Sequence, residues 1–248
     1  ADATTTTADN QAPVLAAISD GMVRVNETMI LTNLAFDPDG HTLRFSLGAA
    51  PSGASIVPDS GLLFWTPVCA QGSSTNLFEV RVTDNGTPPL TAAQTFRVFV
   101  PECIEAGLGS TIMQVGTTSS VPVRLLSTVA LTNLTFTVVF PADRLAGFVL
   151  TPNSSQVLNQ DLRLLSPGRL EVSFTLPASS VLHGPTNAAS LVFTAPTNQT
   201  SIFLPLLIED VDGWRPDGGL AANARGQAGR VVIIGREPLL EGVQGADR

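Results

Sequence analysis

The chain has 248 residues and a formal charge of −8, which argues against nucleic acid as a partner, since that requires basic patches. Hydrophobic residues make up 44% and charged residues 14%, enough apolar material for two β-sandwich domains of about 100–130 residues each. All 13 basic residues are arginine, so a Schiff base, a P-loop lysine and a Lys–Asn isopeptide cross-link are all excluded, and no apolar run is long enough to span a membrane as a helix.

Residues 1–12 form a polar N-terminal extended segment. Thr4, Thr5, Thr6 and Thr7 have β propensity but no buried face of their own. They read as an assembly strand added to the open edge of a neighbouring sheet, or as a linker to an upstream module. Ala1-Asp2-Ala3 reads equally as a terminus left by signal-peptide removal or as an arbitrary start.

Domain one is expected over 13–101, with strands at 43–47, 61–66, 78–83 and 94–100. Phe78, Val80 and Val82 point one way and Glu79, Arg81 and Thr83 the other; Phe96, Val98 and Val100 repeat the alternation. Asp84-Asn85-Gly86 and Thr87-Pro88-Pro89 read as a hairpin loop. Domain two is expected over 102–236, followed by a tail at 237–248. Strands are predicted at 121–125, 133–140, 170–176, 190–194, 201–208 and 230–234. Pro122 and Pro205 mark their strands as sheet edges, because proline cannot donate to a central ladder. Glu209 to Gly219 reads as an acidic surface loop. No segment has a helical period, so the fold class is all-β: two tandem antiparallel β-sandwiches.

Pro51-Ser52-Gly53-Ala54 through Gly61 to Trp65-Thr66-Pro67, preceded by Asp37-Pro38-Asp39-Gly40, resembles the cadherin-like and Ig-like modules of bacterial surface proteins. Residues 110–235 resemble cohesin and related carbohydrate-binding sandwiches. That resemblance is carried by the Val121-Pro122-Val123 strand, by Leu134 to Leu145 and by the late strands at 191–193, 202–208 and 229–233. The resemblances imply spacer, adhesive or partner-binding modules without a reaction.

Chemistry-bearing residues are few. The chain has two histidines, His41 and His183, and both read as loop residues. Cys69 and Cys103 are an even pair that reads as a disulfide in an extracellular protein. The cadherin-like resemblance implies a possible calcium site at Asp37, Asp39 and Asp84, with Asp9-Asn10 preceding the domain; turn chemistry without metal is the plainer reading. Trp214 reads as a sugar-stacking platform or, preferably, as a plug at the end of the sandwich. The expected function is that of a non-enzymatic cell-surface structural protein, self-associating into a homopolymer by strand addition. The alternative is an adhesin or scaffold module recognising carbohydrate or a dockerin-like surface protein.

Overall fold

Alternating apolar residues between turn signals build strands throughout the computed structural model, which describes residues 9–154, 157–177 and 186–235. The chain divides into two compact units, Ala1–Pro101 and Glu102–Arg248.

Domain one contains β1 (Val14–Leu15), β2 (Gly21–Met22), β3 (Met29–Thr32), β4 (Ala35–Phe36), β5 (Arg44–Leu47), β6 (Ser55–Ile56), β7 (Leu62–Trp65), β8 (Ser74–Thr83) and β9 (Thr91–Val100). A four-stranded sheet in the order β2-β9-β8-β5 faces a three-stranded sheet, β3-β7-β6, and β1 pairs with β4. The inward residues of β7, β8 and β9 make one core. Trp65 packs edge-on against Phe78 with ring centroids 5.3 Å apart, and Phe78 stacks on Phe96 at 5.0 Å. The Trp65 indole N–H donates to the carbonyl of Ser52 at 3.1 Å, so the two ends of the 51–67 motif hold each other. Gly61 sits at φ 70°, and a Cβ there would approach the Asn33 carbonyl oxygen to 2.8 Å, so the turn into β7 requires glycine.

Domain two contains β10 (Ile104–Leu108), β11 (Ser110–Gln114), β12 (Thr118–Ser127), β13 (Asn133–Val139), β14 (Ala146–Pro152), β15 (Asn159–Ser166), β16 (Arg169–Thr175), β17 (Thr186–Thr194), β18 (Ile202–Trp214), β19 (Ala224–Gln227) and β20 (Gly229–Ile234). They form a five-stranded sheet, β14-β17-β12-β10-β19, and a six-stranded sheet, β11-β20-β18-β13-β16-β15. Between the sheets lies a core that includes Ile104, Leu125, Phe136, Phe174, Leu191 and Phe193. The chain crosses from one sheet to the other at Gly109. β10 pairs in parallel with β19, and β11 pairs in parallel with β20.

This crossing corrects the edge assignments made from proline. β12 lies between β17 and β10, and β18 lies between β20 and β13, so neither is an edge strand. Pro122 is tolerated because β10 ends beside it: the Gly109 N–H donates to the Pro122 carbonyl at 2.9 Å, while the Gly109 carbonyl accepts from Arg230 N–H at 3.3 Å. Pro205 sits opposite Arg230 of β20, in the part of β18 beyond the end of β13, whose last partner is Leu207. Pro205 is therefore without a partner on one side, whereas Pro122 keeps its carbonyl bond to Gly109 and lacks only the N–H donor, each within a centrally placed strand.

The acidic run is also not wholly a loop. β18 continues through Glu209, Asp210 and Asp212 to Trp214, with an irregularity opposite Thr135–Thr137 and Asp210 at φ 51°. The strand persists because Gly213 turns inward, where a Cβ would press on Ile104 and Leu131.

Glu102 anchors the start of domain two. Its carboxylate accepts from the Arg215 guanidinium and from Ala222 N–H at 2.6 Å, and its carbonyl accepts from Asn223 at 2.9 Å. The Arg215 hydrogen bond holds the Glu102 carboxyl below the usual glutamate range against the opposing effect of burial, with the Ala222 N–H helping. A depressed folded-state pKa gives stability that is present above the ordinary glutamate value of about 4.3 and is lost as pH falls through the lower folded value. Glu102→Gln is therefore expected to cost about 1–2 kcal/mol near neutral pH, Arg215 being partly solvated. The difference from wild type should shrink in urea melts as the pH is taken below the ordinary glutamate value; a difference independent of pH would refute the ionic origin.

Candidate functional site

Polar loops gather at one end of domain one. The Asp-Pro-Asp-Gly sequence after β4 turns so that Asp37 Oδ1 accepts the backbone N–H of Asp39 at 2.9 Å and of His41 at 3.0 Å. In the loop between β8 and β9, Asp84 Oδ1 likewise accepts from Gly86 and Leu90 N–H, at 3.0 and 2.9 Å. Asn10, just ahead of the domain, lies on this loop, and its Nδ2 donates to the Asp84 carboxylate at 3.2 Å and to the Pro88 carbonyl at 2.8 Å. Gly86 makes room for it, since a Cβ there would collide with the Asn10 side chain. Candidate ligand atoms of Asp37, His41 and Asp84 lie within 4.8 Å of one another. The Asp37 side chain is 1% exposed, and its Oδ2 is buried without a hydrogen-bond partner, as are His41 Nδ1 and Asn10 Oδ1.

Burial pushes the Asp84 carboxyl up, but the Leu90 and Gly86 N–H groups, the Asn10 amide and the nearby His41 together outweigh it and leave its pKa below the ordinary aspartate value. Asp39 borders this group, its carboxylate near enough to feel the charges of His41 and Asp84 but not one of the groups that converge within 4.8 Å. Its carboxylate accepts from Gln11 N–H at 2.7 Å and Gln11 Nε2 at 2.9 Å, and these bonds lower its pKa. Of the three aspartates singled out in the sequence, Asp37 and Asp84 are thus brought together, with Asn10, expected ahead of the domain, and with His41, which reads in the sequence as a loop residue. The Asp37-to-His41 spacing across an Asp-Gly turn was the available signal for the histidine.

Cys69, in the short turn after β7, and Cys103, after β9, are both oxidised as a disulfide. Trp214 is half-buried on the outer face of the six-stranded sheet. It lines an open depression of about 340 Å³ with Asn133, Thr135, Ser173 and Thr175. The acidic residues of β18 lie along the same sheet, where Arg169 pairs with Glu209 at 2.9 Å and Asp210 at 3.2 Å. Thr4 to Thr7, His183 and the tail beyond 235 lie outside the described residues.

Sequence reasoning missed an apolar row on this outer face. Ile112 pairs with Val232, which in turn pairs with Phe203. Ile112 is 69% exposed and Phe203 67%, with Leu207 and Ile234 also open to solvent. The signal was present in Ile202 to Ile208, where residues on both faces of the strand are apolar although a solvated outer face would be polar.

Residues 12–101 match the putative Ig domain family. No curated protein matches the chain in sequence. Among solved structures, the chain is similar to the cohesin CaCohA2 of Clostridium acetobutylicum, at 20% identity and a TM-score of 0.47 over 55% of this chain and 94% of that one. It is similar to a non-cellulosomal cohesin from the archaeon Archaeoglobus fulgidus at 15% identity and a TM-score of 0.45, over 54% of this chain and 94% of that one. It is also similar to the Coh-OlpC–Doc435 type I cohesin–dockerin complex of Clostridium thermocellum at 11% identity and a TM-score of 0.45, again over 54% and 94%. The protein is all-β, with an Ig-like module over 12–101 followed by a second β-sandwich.

Proposed function

We propose that this chain is a non-catalytic extracellular binding segment, in which domain two takes a protein partner on the outer face of its six-stranded sheet. The observation that carries this reading is the exposed row Ile112–Val232–Phe203, flanked by Leu207 and Ile234. Large apolar side chains side by side on an open sheet face mark an interaction surface more than a solvated one. The acidic end of β18, including the exposed Asp212, asks for a partner with a basic rim beside an apolar patch. A dockerin-like module is such a partner in kind, and the cohesin-like resemblance of residues 110–235 agrees with it. A buried disulfide fits an oxidising, extracellular setting.

A second reading has its own observation. Trp214 beside Asn133, Thr135, Ser173 and Thr175 offers an aromatic face with hydroxyl and amide groups, the chemistry of a sugar subsite. Titration calorimetry against a panel of dockerin modules and soluble polysaccharides separates the two. Phe203→Asp is expected to weaken protein binding at least ~100-fold while Trp214→Ala leaves it intact. Glycan binding abolished by Trp214→Ala and indifferent to Phe203→Asp would replace the protein-partner reading with the sugar one. Filaments of the wild type that disappear on deletion of residues 1–12, with neither ligand bound, would instead support strand-donated self-assembly.

A further inference from the structure

The polar cluster of domain one is built in a way that turn chemistry does not explain. Asp37 Oδ1 and Asp84 Oδ1 each accept backbone N–H donors, which accounts for the loop conformations. The remaining atoms have no such role. Asp37 Oδ2, His41 Nδ1 and Asn10 Oδ1 are buried and unpartnered, and the Asp37 side chain is 1% exposed. A buried carboxylate oxygen without a donor is costly, and native structures rarely leave one so. We propose that Asp37, His41 and Asp84, with the amide oxygen of Asn10, bind a divalent transition ion of the Zn²⁺ or Mn²⁺ kind.

The donor set decides the ion. Calcium takes oxygen ligands, commonly six to eight of them. A compact set of two carboxylates and an imidazole within 4.8 Å suits a smaller, borderline ion that accepts nitrogen. The Asp39 carboxylate, engaged by Gln11, serves to hold the segment beside Asn10 and does not ligate. An ion here would join the chain entering domain one to the β4–β5 and β8–β9 loops. Its consequence is mechanical: the approach to the domain becomes fixed when metal is bound.

The competing account is a protonated His41 paired with Asp37, whose nearest atoms are 3.5 Å apart. Titration calorimetry and thermal melting of the untagged, chelator-stripped full chain distinguish the two, with ZnCl₂, MnCl₂ and CaCl₂ as probes. His183→Asn in the background removes the other imidazole. Binding of one Zn²⁺ or Mn²⁺ is expected, with the domain-one melting temperature rising by about 10 °C at a hundredfold excess over Kd. His41→Ala and Asp84→Asn should each weaken binding at least ~10-fold, whereas Asp39→Asn should change it only a few-fold. Mn²⁺ should broaden the amide resonances of residues 37–41 and 84–90, a readout available even if one variant folds poorly. Absence of Zn²⁺ and Mn²⁺ binding, Zn²⁺ binding indifferent to His41→Ala, or Ca²⁺ binding alone would each overturn the proposal.

Discussion

Trp65→Ala is expected to destabilise domain one by about 3–5 kcal/mol, enough to unfold a domain of ordinary stability near physiological temperature. The indole is 1% exposed and lies edge-on to Phe78, so truncation leaves a cavity in the middle of the core. It also removes one of the two side-chain donors to the Ser52 carbonyl, the other being Gln71 Nε2 at 3.1 Å, at the start of the 51–67 motif. Trp65→Phe separates the two contributions. It keeps most of the ring volume and loses the hydrogen bond, so it should cost about 1–2 kcal/mol. Urea denaturation followed by circular dichroism measures both. A loss under about 1 kcal/mol for the alanine variant would mean that the indole is not the centre of this core.

The same residue shows what local sequence carries. Gly53, Gly61 and Trp65 are each required by a local event, respectively a turn, a turn and an inward side chain, so their spacing marked β7 and its place in the core, while the two-residue β6 that pairs with it was too short to show. β8 and β9 were legible because one face is buried and the other wet along their length. β14 and β15 were not, because they lie at the rims of their sheets and much of both faces is exposed. β10 and β11 escaped notice for another reason. Gly107 and Gly109 interrupt their pattern, and both strands gain parallel partners more than a hundred residues away, at β19 and β20. Local periodicity carries no information about such pairing. The prolines misled for the converse reason: the rule that proline avoids ladders holds at Pro122 and Pro205, but it applies to a single backbone position and not to the strand.

The proposed binding surfaces were the least legible part. Asp37 and Asp84 stood out as acids in turns, yet a ligand set is defined by which loops the sheets bring together. The resemblance already put Asn10 near them, but only the fold places His41 there. The apolar row has the same character. Ile112 and Phe203 are ordinary strand residues in sequence and become a surface only when β20 aligns them on one face.

Removing the disulfide with Cys69→Ala and Cys103→Ala together is expected to cost about 3–4 kcal/mol, the chain-entropy value for a closed loop of roughly 35 residues. The bridge ties the turn after β7 to Cys103, three places beyond the end of β9, so the loop it closes contains the β8–β9 hairpin that carries Asp84. Cys69 is 2% exposed and Cys103 fully buried, so the native bridge is shielded from reductant and thiol labelling. Paired alanines are the appropriate substitution, because serine would place two hydroxyls in an apolar site and add a burial cost unrelated to the cross-link. The melting temperature of domain one should fall by roughly 15 °C. Most of the effect should appear in a more expanded unfolded state, seen as a larger denaturant m-value than wild type, since the cross-link restrains the unfolded chain more than the folded one. Two alkylatable thiols in the native, unreduced protein, or a double variant as stable as wild type, would contradict this account.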